Sequence, residues 1–154
     1  MTMYFDEFAV GQVFTTPERS VTAADVGAFA DLTGDDNPLH TDPEFAARTQ
    51  FGGLVAHGVF GISLALGLAA RTGVFTGSAA ALLGVDGWRF HSPVRVGDAV
   101  HARIEIVSTR LTSSGRTGVV GRHFELVDSL GVVAQSGRMD VLVYTAEPPD
   151  MKEK

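Results

Sequence analysis

Two carboxylates, a carboxamide and an imidazole fall within six residues of this chain: Asp35, Asp36, Asn37 and His40. Carboxylates and imidazoles are the side chains that most often move protons in catalysis. The loop that carries them runs toward the most apolar stretch of the sequence, Val59 to Ala70, where Ser63 has the one polar side chain. Polar groups gathered beside a buried apolar element are where a binding or catalytic site is expected. Asx-rich turns also cap and turn a chain with no chemistry at all, and residue types alone do not choose between Asp35 and Asp36. Fully extended, the step from Asp35 to His40 would span roughly 17 Å, so a turn is needed to bring the side chains together. Asn37-Pro38 supplies it, because proline fixes its own φ and pushes the preceding residue out of the helical region. Leu39 then points inward and anchors the loop.

The flanking elements give this loop its base. Thr22 and Asp25 form a near capping box, with Asp in place of the usual Glu or Gln. Val26, Phe29, Ala30 and Thr33 follow at helical spacing, and Gly34 is the residue expected just past the helix end. Downstream, Asp42 as N-cap and Pro43 at the first helical position predict a short helix over Pro43–Thr49. Phe51-Gly52-Gly53 is a flexible step before Ala56-His57-Gly58. The twelve residues from Val59 to Ala70 are too few for a membrane span, and being apolar all round they predict a helix buried on every side. Gly61, Ala65 and Ala69 make a small-residue stripe that lets a sheet approach closely, while Gly67 weakens the helix by about 1 kcal/mol against Ala. Gly58 opens this helix. Its free N–H at the positive end of the dipole is a candidate donor to a developing oxyanion, the plain alternative being an N-terminal glycine with no further role. His57 reads as structural.

After Arg71-Thr72-Gly73 the period changes to two. Ala80–Phe90 reads as a strand with a break at Asp86-Gly87. Over Ala99–Leu111, Val100, Ala102, Ile104 and Ile106 alternate with His101, Arg103 and Glu105. Ser113 to Arg116 is a hairpin turn, Thr117–Val127 the next strand, and Val132–Tyr144 the last, with Met139, Val141 and Val143 on one face. A further strand over Val13–Ser20 precedes the first helix. One long helix wrapped by an antiparallel sheet follows from this order: an α+β fold, one domain over residues 1–145, then a frayed tail over 146–154.

The composition sets bounds on the function classes. With 154 residues, 45% of them hydrophobic and 19% charged, the chain can bury a sizeable core and is not a disordered polyelectrolyte. A net charge of −6 with no long basic run argues against nucleic acid as a partner. Without cysteine there is no disulfide framework, thiolate nucleophile or thiolate metal ligand. The five histidines show no paired ligand spacing, so no metal is assigned. The first residues lack the basic and apolar regions of a signal peptide, so the expected location is the cytoplasm, with no membrane partner.

The run Gly34-Asp35-Asp36-Asn37-Pro38-Leu39-His40-Thr41-Asp42, followed by Ala56-His57-Gly58, resembles the signature of MaoC-like enoyl-CoA hydratases, which include (R)-specific hydratases and hot-dog-fold dehydratases. Trp88-Arg89-Phe90-His91-Ser92-Pro93-Val94-Arg95-Val96-Gly97-Asp98 resembles a looser segment of the same proteins, so the likeness extends over most of the chain. The resemblance implies a hot-dog fold and a homodimer, or a higher homo-oligomer, with the site near the subunit boundary. It implies hydration of trans-2-enoyl-CoA to (R)-3-hydroxyacyl-CoA, or the reverse dehydration, in fatty acid metabolism. It also selects Asp35 and His40 as a catalytic pair holding one water, with Asn37 hydrogen-bonding behind them and Gly58 as the oxyanion donor. No cofactor is implied; coenzyme A enters as part of the substrate.

Other residues are weaker candidates. Gly61-Ile62-Ser63-Leu64-Ala65 imitates a nucleophile elbow, but that motif requires a strand-to-helix turn and Ser63 lies inside the helix; Ser63 remains a candidate for lining the acyl channel. Arg89 and Arg95, and Arg71 at the helix end, are candidates for coenzyme A phosphates. A hot-dog thioesterase is the alternative enzyme, and it requires a carboxylate on the central helix that Gly58–Ala70 lacks. A non-catalytic acyl-CoA-binding or scaffold subunit is the alternative of another class, disfavoured by an intact Asp35/His40 pair.

Overall fold

The computed structural model describes residues 1–146; the expected tail, from residue 147 on, lies outside the described residues. A 3₁₀ turn at Phe5–Glu7 leads to two short strands, β1 (Val13–Thr15) and β2 (Arg19–Ser20). The sequence pattern suggested one strand here. Pro17, which has no N–H to give, splits it, and Thr16 bridges the gap with its backbone N–H on Ala102 O (3.0 Å) and its hydroxyl accepting from Ala102 N (2.9 Å).

Helix α1 (Ala23–Thr33) begins with the expected capping box: Asp25 N–H donates to Thr22 Oγ1 and the Asp25 carboxylate accepts the Thr22 N–H. It ends at Gly34, whose φ of 75° is the left-handed conformation that turns the chain out of the helix. One departure follows at once. Pro38–Thr41, read from sequence as a turn, forms a helical turn, α2, because Pro38 is preset for the first helical position and Asn37 Oδ1 caps Leu39 N–H at 3.1 Å. Asp42 then caps α3 (Pro43–Ala47) through Glu44 and Phe45.

The central helix α4 (Gly58–Arg71) is about 21 Å long at 1.5 Å per residue. The strands β3 (Ala79–Phe90), β4 (Ala99–Leu111), β5 (Thr117–Asp128) and β6 (Val133–Tyr144) make an antiparallel sheet in the order β1-β4-β5-β6-β3, with β2 also on β4. Val100, Ala102, Ile104 and Ile106 of β4, Phe124 and Leu126 of β5 and Met139 of β6 are fully buried. Those on β4 and β5 up to Ile104, with Met139, form one core with Leu64, Ala65, Leu68 and Ala69 of α4. Burial of each large aliphatic side chain contributes roughly 1.5–3 kcal/mol. Gly61 makes the close approach possible, because a Cβ there would collide with the Gln135 amide.

One surface differs from expectation. The helix is not enclosed: Gly58, Val59, Ser63, Gly67 and Ala70 are exposed, with Val59 59% accessible. A single sheet covers only one side of a helix, and an apolar sequence does not say what covers the other. On strand β3, nearly every residue is exposed, including Leu82, Leu83, Val85 and Phe90. It is a sheet edge whose register shifts between Asp86 and Arg89, where Gly87 takes a φ of 58°. No helix among the described residues is long and apolar enough to cross a membrane.

Candidate active site

Asp35 leaves α1 directly after Gly34, with its N–H on Thr33 Oγ1 and its side chain 57% exposed. Its carbonyl accepts a 2.8 Å hydrogen bond from His57 Nε2. His40, on α2, donates from Nδ1 to the Val55 carbonyl at 2.7 Å. A carbonyl can only accept, so in the neutral ring this bond fixes the proton on Nδ1 and leaves the Nε2 lone pair free. The helical turn that the sequence concealed is what orients this ring.

His57 belongs to this site. The residue is 4% exposed, its ring stacks on His40 with centroids 3.8 Å apart, and Phe29 lies 5.0 Å away on its own ring-to-ring contact. Its Nε2 also lies 4.0 Å from the Asp35 carboxylate. His57 thus fixes the backbone of Asp35 and the plane of His40 together. Its Nδ1 is buried with no hydrogen-bond partner. Asp35, His40 and His57 each bring a ligand-capable atom within 4.8 Å of the others, a polar cluster sized for one water or one cation.

Gly58 follows His57 as the first residue of α4, where the helix leaves its N–H without an intrahelical acceptor. A Cβ at this position would lie 3.0 Å from the Phe90 ring, so glycine keeps the slot open. The Gly58 carbonyl accepts from Gln135 Nε2 (3.3 Å), and Gln135 Oε1 accepts from Trp88 Nε1 (3.1 Å). This pair holds the helix start against the sheet. Sequence reading missed Gln135, and the available signal was a buried amide in an otherwise apolar inward row of β6.

Two cavities meet at His40 and Gly58. One, about 360 Å³, is largely apolar and reaches Leu39, Phe51, Val55 and Phe90. The other, about 250 Å³, holds Asp35 and His57 beside Phe29. A pocket that holds a carboxylate and two imidazoles beside a second, largely apolar one suits a reactive polar centre attached to a hydrocarbon chain.

The remaining candidates do not line these two cavities. Asn37 caps α2 from behind the pair. Ser63 faces a separate cleft with Phe29, Gly67 and Arg71. Arg89 is exposed on β3. Arg95 is tied to the turn by its N–H on Asp98 Oδ2 (2.7 Å) and its Nε on the Phe51 carbonyl (3.3 Å).

Known proteins resemble this chain in sequence and fold. A 3-hydroxybutyryl-CoA dehydratase of Methylorubrum extorquens is 35% identical over 104 residues, covering 68% of this chain and 64% of the relative. An (R)-specific enoyl-CoA hydratase of Aeromonas caviae is 43% identical over 88 residues, covering 57% of this chain and 63% of the relative. The matched region thus spans less than two thirds of either relative. Among solved structures, a conserved Mycobacterium tuberculosis protein with a double hot-dog fold superposes with a TM-score of 0.85 at 27% identity, over 99% of this chain and 47% of that one. The sheet wrapped on α4 is this hot-dog fold. The MaoC like domain model matches residues 7–125, the span that carries α4 and every side chain of the pair, and the chain belongs to that dehydratase family.

Proposed function

We propose that this chain adds water to trans-2-enoyl-CoA thioesters to give (R)-3-hydroxyacyl-CoA, or removes it in reverse. The observation that carries the reading is the convergence of Asp35, His40 and the free N–H of Gly58 on two adjoining cavities. A water held between the Asp35 carboxylate and His40 Nε2 attacks C3 as the carboxylate draws off its proton. The C3–O bond forms, the double-bond electrons move toward the thioester oxygen, and the Gly58 N–H meets the growing charge. The proton returns to C2, so the atoms of one water are consumed with no redox change. The chemistry needs no metal or redox cofactor, and coenzyme A enters with the substrate. The names of the two relatives support the substrate class and the (R) outcome. A panel of trans-2-enoyl-CoAs should lose absorbance at the enoyl thioester band, at a rate unchanged by a chelator. No loss with any chain length would overturn the reading in favour of a binding subunit, and chelator sensitivity would assign the polar cluster to a cation.

The exposed apolar edge of β3 supports a homodimer, since such an edge invites pairing and aggregation when uncovered. Light scattering should give twice the 16.3 kDa chain; a monomer at micromolar concentration would overturn this.

A further inference from the structure

Gly58, Ile62, Leu66 and Ala70 recur at four-residue spacing and share one face of α4. The cavity at His40 opens at the Gly58 end of that face. At the other end, Leu66 and Ala70 line a second cavity of about 360 Å³, walled by Phe75, Ala79 and Leu82. A single cation enters these apolar walls: Arg122, on the inward face of β5 and 4% exposed. Its Nε donates to the Met139 carbonyl at 3.0 Å, and its guanidinium is held against the rings of Phe75 (4.8 Å) and Phe124 (5.1 Å). Both Nη atoms lack a hydrogen-bond partner among the described residues, and no acid lines the cavity. Asp140 acts on Arg122 through space, while its hydrogen bonds go to Arg138 at 2.7 and 3.0 Å. Burial pulls Arg122 down to about 10, so it stays protonated at neutral pH. The Met139 bond, the two rings and Asp140 offset part of the cost of burying this charge, and the Nη ends left over match a planar carboxylate in two parallel bonds.

We propose that Arg122 binds a carboxylate at the far end of the acyl chain, making the preferred substrates medium-chain enoyl thioesters that carry an ω-carboxylate. The inference rests on the hydratase reading for the position of the thioester. The eight to twelve residues from Gly58 to Leu66 and Ala70 cover about 12–18 Å along the helix. With C–C bonds of about 1.5 Å an extended chain advances about 1.3 Å per carbon, so the arginine lies on the order of ten carbons from the thioester.

The test compares trans-2-dodecenoyl-CoA with the same chain ending in a carboxylate, in the wild type and in Arg122→Met. The carboxylated substrate should be favoured in kcat/KM by at least about tenfold, as expected for a charge-assisted hydrogen bond. Arg122→Met should abolish that preference. Arg122→Lys, which keeps the charge and loses the fork, should retain only part of it and stands in if the Met variant does not fold. Crotonyl-CoA, too short to reach the arginine, reads the catalytic assignment separately. If the wild type hydrates crotonyl-CoA yet shows no preference for the ω-carboxylate, the inference is overturned and the hydratase reading stands. If crotonyl-CoA is not hydrated, calorimetric binding of dodecanedioyl-CoA against dodecanoyl-CoA decides. Tighter binding of the diacid that Arg122→Met removes upholds the carboxylate site, and equal binding overturns it.

Discussion

His57→Phe separates the positioning role of this residue from its packing. A phenyl ring keeps the stack on His40 (3.8 Å) and the contact with Phe29 (5.0 Å), and removes the bond from Nε2 to the Asp35 carbonyl. Losing that bond costs about 1 kcal/mol. Removing Nδ1, buried without a partner, returns about 1–3 kcal/mol. The larger ring adds an overpacking penalty of about 1–3 kcal/mol. The sum lies within about 3 kcal/mol of zero, and at roughly 2–4 °C per kcal/mol for a chain of this size Tm should move by less than about 12 °C. Asp35, freed from its carbonyl tether, should lose its alignment with His40, and a misplacement of about 1 Å can cost 10²-fold in rate. The expected result is a kcat for crotonyl-CoA hydration reduced by about 10- to 100-fold in a folded protein, measured by enoyl absorbance beside circular-dichroism melting. Activity within twofold of wild type would refute the positioning role. A loss of activity accompanied by unfolding would assign His57 to packing alone.

The other expectations concern the helix start and the capping box. Gly58→Ala puts a Cβ 3.0 Å from the Phe90 ring, which is exposed enough to swing aside; it should preserve Tm and lower kcat/KM by about tenfold or more, because the displaced ring intrudes on the shared slot. Hydrogen bonds from the Thr22 backbone, then from its hydroxyl, hold the Asp25 carboxyl below its ordinary value, with Arg19 assisting. A depressed carboxylate stabilises the fold above its unfolded pKa, and that share is lost as pH falls through the lower folded value. Melting from pH 7 into the range below 4 should therefore show a smaller acid-induced fall in Tm for Asp25→Asn than for wild type, and identical profiles would contradict the linkage.

Much of this architecture was legible because short-range rules and the core agree. The strand Ala99–Leu111 has the expected bounds and alternates as far as Ile106, before a register shift, and Gly34, Asp42 and Gly58 stand at the helix boundaries where their backbone preferences put them. What escaped depends on partners distant in sequence. A residue before proline normally argues against helix, yet Asn37 stays outside while Pro38 begins one, so the spacing of Asp35 and His40 was clear and the turn orienting His40 was not. The hydrogen bond of His57 reaches back 22 residues and that of Gln135 reaches 77, beyond any local pattern. The sequence reading passed over Arg122, although its place between Val120 and Phe124 in the inward row of β5 marks it as buried.

The most direct measurement of the proposed chemistry is a double-mutant cycle on the pair. Asp35→Asn keeps the size of the side chain and removes the base; His40→Ala removes the other water ligand. Each should lower turnover of crotonyl-CoA by at least about 10²-fold, with little change in Tm. Because both residues act on one water, the double variant should be scarcely slower than either single one. Two singles that retain near-wild-type turnover, or losses that multiply fully in the double variant, would contradict a shared water between Asp35 and His40.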